Sequence, residues 1–382
     1  MNVWRWLGIS IFLACTVGLI STTNLSVLEA IAQDKKVEEK KKVEEKKEET
    51  KKEEKKKDET KKEETKKEET KKEETKKEET KKEETKTPDK GALAFTAFKK
   101  GSPKFYQVQK TTTKQEMKVM GQVVTQTQDQ TFLIEWTPLD EVKDSYVVAQ
   151  KIVGVKMEIN IGGNKIAYDS TSSAKQKNPM TDFFEQLTKQ ELKFTIKSDL
   201  SKVESIDGRE KFIQSLQEIN PQMKGLLNAI LSDKALTKMA EPTWYAFPAG
   251  GSFDKQTWTR KSDLDLGPIG KYETTFDFTY KGLKDNKDEI GIVTKMTYSA
   301  PTEKAGLPFI IHEAKLTAND GKGSTTFDRA KGRFDKTELK MTLKGTLKIE
   351  VGNMTTQVEL DQTQTSSSTT LDAIPDDWKS KQ

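Results

Sequence analysis

The feature that most constrains this chain is a tract at residues 35–86 that consists almost entirely of Lys-Lys-Glu-Glu-Thr repeats. The five repeats from Lys61 onward are perfect and in register, and residues 46–85 contain no apolar side chain. A packed core needs buried apolar area to offset the conformational entropy of the chain, so this tract cannot form one. The folded part of the protein must therefore lie after the tract, and the residues before it have another role.

The tract is nearly balanced in charge, with 23 lysines against 20 acidic residues. Glu–Lys spacings of three and four favour a helix weakly, whereas like charges four residues apart and the repeated threonine oppose it. We predict that residues 33–90 form a solvated spacer, disordered or transiently helical, in which the tract would span about 80 Å as a full helix. The alternative is an arm that binds anionic polymers or membranes, which the balanced charge disfavours.

Residues 1–32 have the parts of a secretory signal peptide: a positive end, an apolar run at Leu7–Ile20 and the small-x-small cleavage site Ala30-Ile31-Ala32. Cleavage after Ala32 competes with two alternatives, an uncleaved anchor and lipidation at Cys15, since Leu13-Ala14-Cys15 resembles the end of a bacterial lipobox. Each predicts an exported protein of the periplasm, cell envelope or extracellular space. Membrane contact would come only through the leader or a lipid on Cys15.

Residues 91–382 are predicted to form one globular domain of balanced charge, with 42 basic against 39 acidic residues in 87–382. This balance does not indicate the excess of basic residues that a nucleic-acid-binding surface requires. Cys15 is the only cysteine of the chain, so a chain cleaved after Ala32 has no disulfide, thiolate nucleophile or cysteine-bound metal.

Strict alternation of apolar and polar residues predicts the architecture of this domain. It is clearest in the last third, in Tyr272–Tyr280, Ile290–Tyr298 and Leu339–Val351. One-sided alternation is typical of an antiparallel sheet with one wet face. A glycine within the thirteen-residue stretch Leu339–Val351 indicates a curved sheet. We therefore predict the α+β class, with a large curved antiparallel sheet, either a half-barrel or sandwich-like, and a helical insertion at about 179–240.

The remaining elements are predicted from shorter patterns. Apolar residues at helical spacing predict helices over Pro179–Gln190, Arg209–Ile219 and two pieces of 221–240. Alternation predicts these further strands: Tyr106–Thr113, Met117–Thr127 with a bulge at Gly121, Thr131–Thr137 ending at Pro138, Ser145–Ile159, Lys165–Ser170 after a Gly-Gly turn, and Glu191–Lys197. Phe327–Phe334 indicates strand, turn, strand. Gln362–Thr370 is either a strand edge or a frayed tail, and Trp378 is expected to pack back onto the domain.

The sequence contains no complete catalytic or metal-binding motif. His312, the single histidine, lacks the second histidine of a zinc helix and the Gly-x-Ser-x-Gly elbow of a serine hydrolase, so we interpret it as a strand residue beside a loop. Gly321-Lys322-Gly323-Ser324 is interpreted as a hairpin turn rather than a phosphate loop. No cofactor, metal or catalytic residue is therefore predicted.

Two groups of residues are weighed as functional candidates. Asp263 and Asp265 flank Leu264 and would face one way on a strand, as a cation site or an acid/base pair, or simply as a solvated strand face. An aromatic group, Trp244, Tyr245, Phe247, Phe253 and Trp258, is interpreted as core where helices meet the sheet. Its alternative is a pocket for an apolar or carbohydrate ligand.

The stretch Trp244–Gly282 combines an aromatic-Pro-Gly lead, Trp258, Gly267-Pro268-Ile269-Gly270 and an alternating aromatic strand. Together with Phe327-Asp328 and Gly332-Arg333, it resembles a family of exported bacterial envelope proteins known as a domain of unknown function. The resemblance implies a signal peptide or lipid anchor and a β-rich body, and it implies no catalytic residue. In architecture alone the pattern is similar to half-barrel lipoprotein carriers of the periplasm.

Three hypotheses follow from the sequence. The first is a non-enzymatic module that binds an apolar small molecule or an envelope component on the concave side of the sheet. The second is a structural or scaffolding module held off a surface by the spacer. The third is a carboxylate-dependent hydrolase that uses Asp263 and Asp265.

Overall fold

The computed structural model describes residues 93–172, 179–219, 224–253, 256–302, 309–352 and 354–379. The predicted leader (1–32) and spacer (33–90) lie outside the described residues, as do the two alternatives at Cys15 and Ala32.

A single antiparallel sheet of twelve strands dominates the described part of the chain. The strands are β1 (Phe105–Val119), β2 (Gln122–Val142), β3 (Ser145–Ile161), β4 (Asn164–Asp169), β5 (Glu191–Lys197), β6 (Val203–Asp207), β7 (Thr257–Asp265), β8 (Lys271–Lys284), β9 (Lys287–Ser299), β10 (Phe309–Asp328), β11 (Arg333–Val351) and β12 (Met354–Leu371). Their spatial order is β6-β5-β3-β2-β1-β12-β11-β10-β9-β8-β7, and β4 pairs with β3 beside this path. The predicted α+β class with a large antiparallel sheet is confirmed.

Four α-helices accompany the sheet in the described residues: α1 (Pro179–Lys189), α2 (Arg209–Ile219), α3 (Lys224–Ile230) and α4 (Asp233–Ala240). The helical insertion at 179–240 is confirmed, but it also contains β5, which was predicted, and β6, which was not. Helix α4 contacts both β6 and β7, the two ends of the strand path. Because an eight-residue helix is only about 12 Å long, the open sheet must curl to bring its two edges to one helix.

Paired strands share an inner face that continues from β1 through β12, β11, β10 and β9 to β8. Starting from Thr111 on β1, successive partners are Ser366, Leu339, Gly323, Ile292 and Phe278. Inward side chains of β8 and β9 are buried at every second residue, with exposed or partly exposed residues between them. This is the pattern that the alternation predicted, because successive side chains of a strand point to opposite faces.

Two predicted strand boundaries in the first hairpin are wrong. The stretch Met117–Thr127 is not one strand with a bulge, because Met120 and Gly121 both have positive φ and form the turn between β1 and β2. Pro138 does not end a strand either, since β2 continues to Val142 past a register shift between Pro138 and Asp140. Such an irregularity accommodates a proline that cannot donate to the ladder.

The predicted hairpin turn at Gly321–Ser324 is also wrong, because these residues lie inside β10. The register of β10 shifts between Thr317 and Lys322 against β11, and between Ala318 and Gly321 against β9. A Cβ on Gly323 would overlap the backbone of Glu338 on β11. Glycine is therefore present here because two backbones approach closely, not because the chain turns.

The segment Gln362–Thr370 is neither a strand edge nor a frayed tail. It belongs to β12, which pairs with β1 on one side and with β11 on the other. The last strand in sequence is therefore in the middle of the sheet, beside the first.

The C-terminal segment packs back onto the outer face of the sheet, as predicted for Trp378. The indole contacts Tyr106 and Leu133 and lies directly on Gly154, where a Cβ would overlap the ring. The Nζ of Lys156 lies 4.5 Å from the ring centroid and donates a 3.1 Å hydrogen bond to the carbonyl of Asp377. This small outer cluster, which we call the C-terminal clasp, closes over β1, β2 and β3.

Candidate functional site

Neutral polar side chains form a band on the inner face where three central strands meet. Members of this amide band are 2–6% exposed and come from β1 (Gln109, Thr113, Gln115), β2 (Gln126, Gln128, Gln130) and β12 (Gln362, Gln364, Ser366). Gln115 pairs with Gln126 on one neighbouring strand and with Gln362 on the other, and Thr113 is flanked in the same way by Gln128 and Gln364. The centre of the inner face is therefore amide and hydroxyl, although most of that face is apolar.

Several amide groups of the band have no hydrogen-bond partner within the described residues. Gln128 donates to the Oε1 of Gln130 at 2.9 Å. In contrast, both polar atoms of Gln115 and the Oε1 atoms of Gln109 and Gln126 are buried without a partner. A buried polar group without a partner costs about 1–3 kcal/mol, so the band is an unusual feature that folding alone does not explain.

An aromatic cluster borders the band at the start of β1. The rings of Phe98 and Phe105 stack at 5.9 Å, and both lie against Trp136, at 5.5 and 6.5 Å between centroids. Trp244 closes the cluster at 6.1 Å from Trp136, and the Nε1 of Trp136 donates to the Oε1 of Gln107 at 2.9 Å. Rings and amides therefore meet on one surface.

A cavity of about 30 Å³ lies between this aromatic cluster and the band. Its lining includes Phe105, Trp136, Trp244, Gln107, Gln109 and Ser368. A water molecule needs roughly 10–15 Å³ of such space. The cavity therefore has space for about two waters, and a larger ligand requires the lining to move apart.

The predicted aromatic group is mainly core. Trp244, Tyr245, Phe247 and Phe253 are buried, and Trp258 is partly exposed while donating to the carbonyl of Tyr245 at 3.1 Å. Among them, Trp244 also lines the cavity. The interpretation as core is therefore confirmed for the four buried members, and the ligand pocket stays a hypothesis.

A buried ion pair that the sequence did not reveal lies near the hairpin between β10 and β11. Asp288 is 0% exposed and accepts two hydrogen bonds from Arg329, at 2.7 and 2.8 Å. The hydroxyl of Tyr280 donates to the same carboxylate at 3.0 Å, and its ring stacks on Phe253 at 4.1 Å. Because Arg329 satisfies both carboxylate oxygens, this group has the character of a structural clamp.

Burial, together with the neighbouring Asp288 carboxylate, raises the pKa of Tyr280 to about 12 from its ordinary value of 10.0. A raised pKa means that the folded state holds the proton more tightly than the unfolded state does. The stability from Tyr280 is thus complete below pH 10 and is lost as the pH rises to about 12. Ultraviolet titration of the wild type and of Tyr280→Phe should differ by one phenol that ionises near pH 12. A difference at the ordinary value near pH 10 would contradict the expectation.

The structure places Asp263 and Asp265 together on the exposed face of β7, an edge strand. Asp263 lies 3.4 Å from the Nζ of Lys238, which also lies 3.3 Å from Glu241, and Asp265 accepts from the backbone of Gly267 at 2.9 Å. Partial burial alone would lower the pKa of Lys238, but Glu241 and Asp263 outweigh it and raise the pKa. These contacts give Asp263 a structural role, and its use in catalysis stays a hypothesis.

His312 lies on β10, with its Nε2 2.6 Å from a carboxylate oxygen of Glu350 on β11. It is therefore a strand residue, as interpreted from the sequence. In the part of the chain that the structure describes, no three His, Cys, Asp or Glu side chains are grouped to hold a metal ion. Among the described helices, none has both the length and the apolar character needed to cross a bilayer.

A family model described as "Family of unknown function (DUF6263)" matches residues 143–372, which is more than half of the chain. The match confirms the predicted resemblance to an uncharacterised family, over a shorter range than 91–382. No curated protein sequence matches this chain.

Solved structures give only weak matches. Pseudomonas aeruginosa OccK5 (OpdH) is 6% identical over 72% of this chain and 99% of its own, with a TM-score of 0.20. DynF from the dynemicin biosynthesis pathway of Micromonospora chersina is 9% identical over 74% of this chain and 92% of its own, with a TM-score of 0.16. Scores this low support no argument about fold or function.

Proposed function

The chain belongs to the DUF6263 family, whose function is unknown, and we propose that it is a non-enzymatic binding module of the cell envelope. It takes a ligand on the inner face of its curled sheet. An exported chain with a signal peptide at 1–32 and a charged spacer at 33–90 would carry this domain away from the surface to which it is delivered. The envelope location and the absence of an enzymatic activity are parts of the proposal.

The observation that carries the proposal is the unpartnered part of the amide band. Gln109, Gln115 and Gln126 place four amide atoms on the inner face without a hydrogen-bond partner in the described residues. Apolar residues of similar volume would pack there at lower cost, since buried polar groups stabilise a fold only when they are paired. A ligand that completes these hydrogen bonds supplies a reason for the amides.

The chemistry of the band favours binding over catalysis. Glutamine, threonine and serine side chains bind by donating and accepting hydrogen bonds, and none of them changes its protonation state near neutral pH. General acid–base catalysis requires a group that titrates near the working pH. The band offers recognition without such a group.

Uptake of a ligand requires the inner face to open, because the present cavity admits only about two waters. Thr243 and Trp244 line the cavity and follow directly after α4. The same helix contacts β6 and β7, the two edges of the sheet. A shift of α4 would therefore widen the opening between the edges and withdraw Trp244 from the cavity in one movement.

Native mass spectrometry of the full chain after mild extraction from its producing cells tests this function. We expect a co-purified small molecule that adds a discrete mass and leaves on activation. Two variants are compared for this added mass. Trp136→Ala, which changes the cavity lining, should lose it, and Lys110→Ala, on the outer face of β1, should keep it. A single ligand-free mass for wild-type protein prepared without detergent would contradict the proposal.

A further inference from the structure

Resting on the proposed function, the geometry of the amide band points to the class of ligand: we infer an uncharged amphiphile whose polar part carries several hydroxyl groups, such as a neutral sugar head group. The unpaired amides of Gln109, Gln115 and Gln126 lie within the band and would bind the polar part. The neighbouring aromatic cluster would take the apolar part.

The absence of charge in the band argues for an uncharged polar group. All nine members are glutamine, threonine or serine. The buried carboxylate of Asp288 is already engaged by Arg329. Arg333 lines the cavity beside the band, but its charge is already paired with Asp372. A charged group brought to the band would lose its hydration without gaining a counter-ion, which is strongly unfavourable.

The unpaired amides argue equally against a purely apolar ligand. An alkyl chain covering Gln115 would leave both polar atoms of that amide without a partner, as they are now. A site built for hydrogen bonds discriminates strongly against an analogue that lacks them. Hydroxyl groups both donate and accept, so they can pair with the oxygen and the nitrogen of one amide.

The dimensions of the band fit a small head group. From Gln109 to Gln115 the strand advances by six residues, or about 20 Å, and three neighbouring strands span about 10 Å across. At one end the band meets Phe105 and Trp136, and at the other it meets Met117, whose partner on β12 is Leu360. A polar region of this size, flanked by apolar surface, is the complement of an amphiphile with a head group of two or three rings.

Binding of three probes with the same twelve-carbon chain tests the inference on the full-length protein. The probes are dodecyl maltoside, dodecylphosphocholine and laurate, each below its micelle concentration, with free maltose to separate the head group from the chain. We expect dodecyl maltoside to bind at least about tenfold tighter than the zwitterionic dodecylphosphocholine and the anionic laurate by calorimetry. Weak binding of maltose alone would assign the remaining affinity to the apolar part.

Gln115→Met provides the variant, because it keeps the side-chain volume and removes the amide. Its matched control is Gln357→Met, an exposed glutamine of β12. We expect Gln115→Met to lose at least tenfold in affinity for dodecyl maltoside. It should also raise the melting temperature of the ligand-free protein, by about 2–4 °C for each kcal/mol of unpaired-group cost that the substitution removes. Gln357→Met should change neither quantity.

Two outcomes would overturn the inference. Equal binding of all three probes, unaffected by Gln115→Met, would mean that the site is apolar, and would leave the proposed binding function standing. A lower melting temperature for Gln115→Met without any probe binding would mean that the amides serve the fold through internal water. The proposed function itself is judged separately, by the mass spectrum of the co-purified protein.

Discussion

Arg329→Met is expected to lower the free energy of unfolding by about 3–5 kcal/mol, the usual loss when one partner of a buried ion pair is removed. The reason is Asp288, which is fully buried and receives both of its charged hydrogen bonds from Arg329. Without the guanidinium, the remaining partner described above is the hydroxyl of Tyr280, which cannot compensate the charge. Urea denaturation at neutral pH measures the effect.

Two controls make this experiment specific. The double variant Asp288→Asn/Arg329→Met removes the charge along with its partner and should recover much of the loss. Lys344→Met breaks a surface pair of similar length, 2.6 Å to Asp361, but with side chains 63% and 47% exposed. We expect that variant to lose less than about 1 kcal/mol. Similar losses in Arg329→Met and Lys344→Met would contradict the structural clamp.

Removing the indole of the C-terminal clasp is the second large effect we expect. Trp378→Ala should cost about 3 kcal/mol, because truncating a buried tryptophan removes its packing and leaves a cavity. The indole is 8% exposed and packs against Tyr106 and Leu133 on β1 and β2. Chemical denaturation measures the loss, and the exposed neighbour Lys379→Ala gives the baseline.

The close contact with Gly154 offers an independent test of the same clasp. A valine at this position would occupy the space of the indole, so Gly154→Val should displace Trp378 and cost a similar free energy. Since both changes break one contact, the double variant should lose clearly less than the sum of the two. Additive losses would show that Trp378 and Gly154 do not meet.

Sequence patterns predicted the elements whose two faces differ in chemistry. In β8 and β9 mostly aromatic and aliphatic residues alternate with mostly polar or charged ones, so only one face of each strand can pack against a core. The Gly-Gly turn before β4 and the helices α1 and α2 were found for similar local reasons. Pattern reasoning works where the chemistry of burial is visible residue by residue.

The central place of β12 in the sheet and the amide band were not predicted, because polar residues occupy both faces there. Gln362–Thr370 has glutamine, serine and threonine inside and threonine or serine outside, and nothing local marks the inside. Gln109 and Gln115 are likewise separated by lysine and threonine. Their burial follows from pairing with strands more than 200 residues away in sequence, which no local pattern contains.

The clamp escaped prediction for a different reason. Asp288 lies on β9 and Arg329 lies 41 residues later, in the turn directly after β10, so the two meet only when β9 pairs with β10. The sequence did identify the hairpin that carries Arg329. Which carboxylate it would meet depended on the register of the whole sheet.

The adjacency of β1 and β12 determines when this protein can finish folding. Residues 105–119 must wait for residues 358–371 before the centre of the sheet closes. A polypeptide still emerging from a ribosome would hold two partial sheets, each with an edge strand whose backbone hydrogen-bonding groups are unpaired. Such long-range pairing makes assembly slow and leaves those edges open to foreign strands until it is complete. We therefore expect that deleting β12, by ending the chain before Met354, abolishes the native state rather than removing a dispensable C-terminal segment.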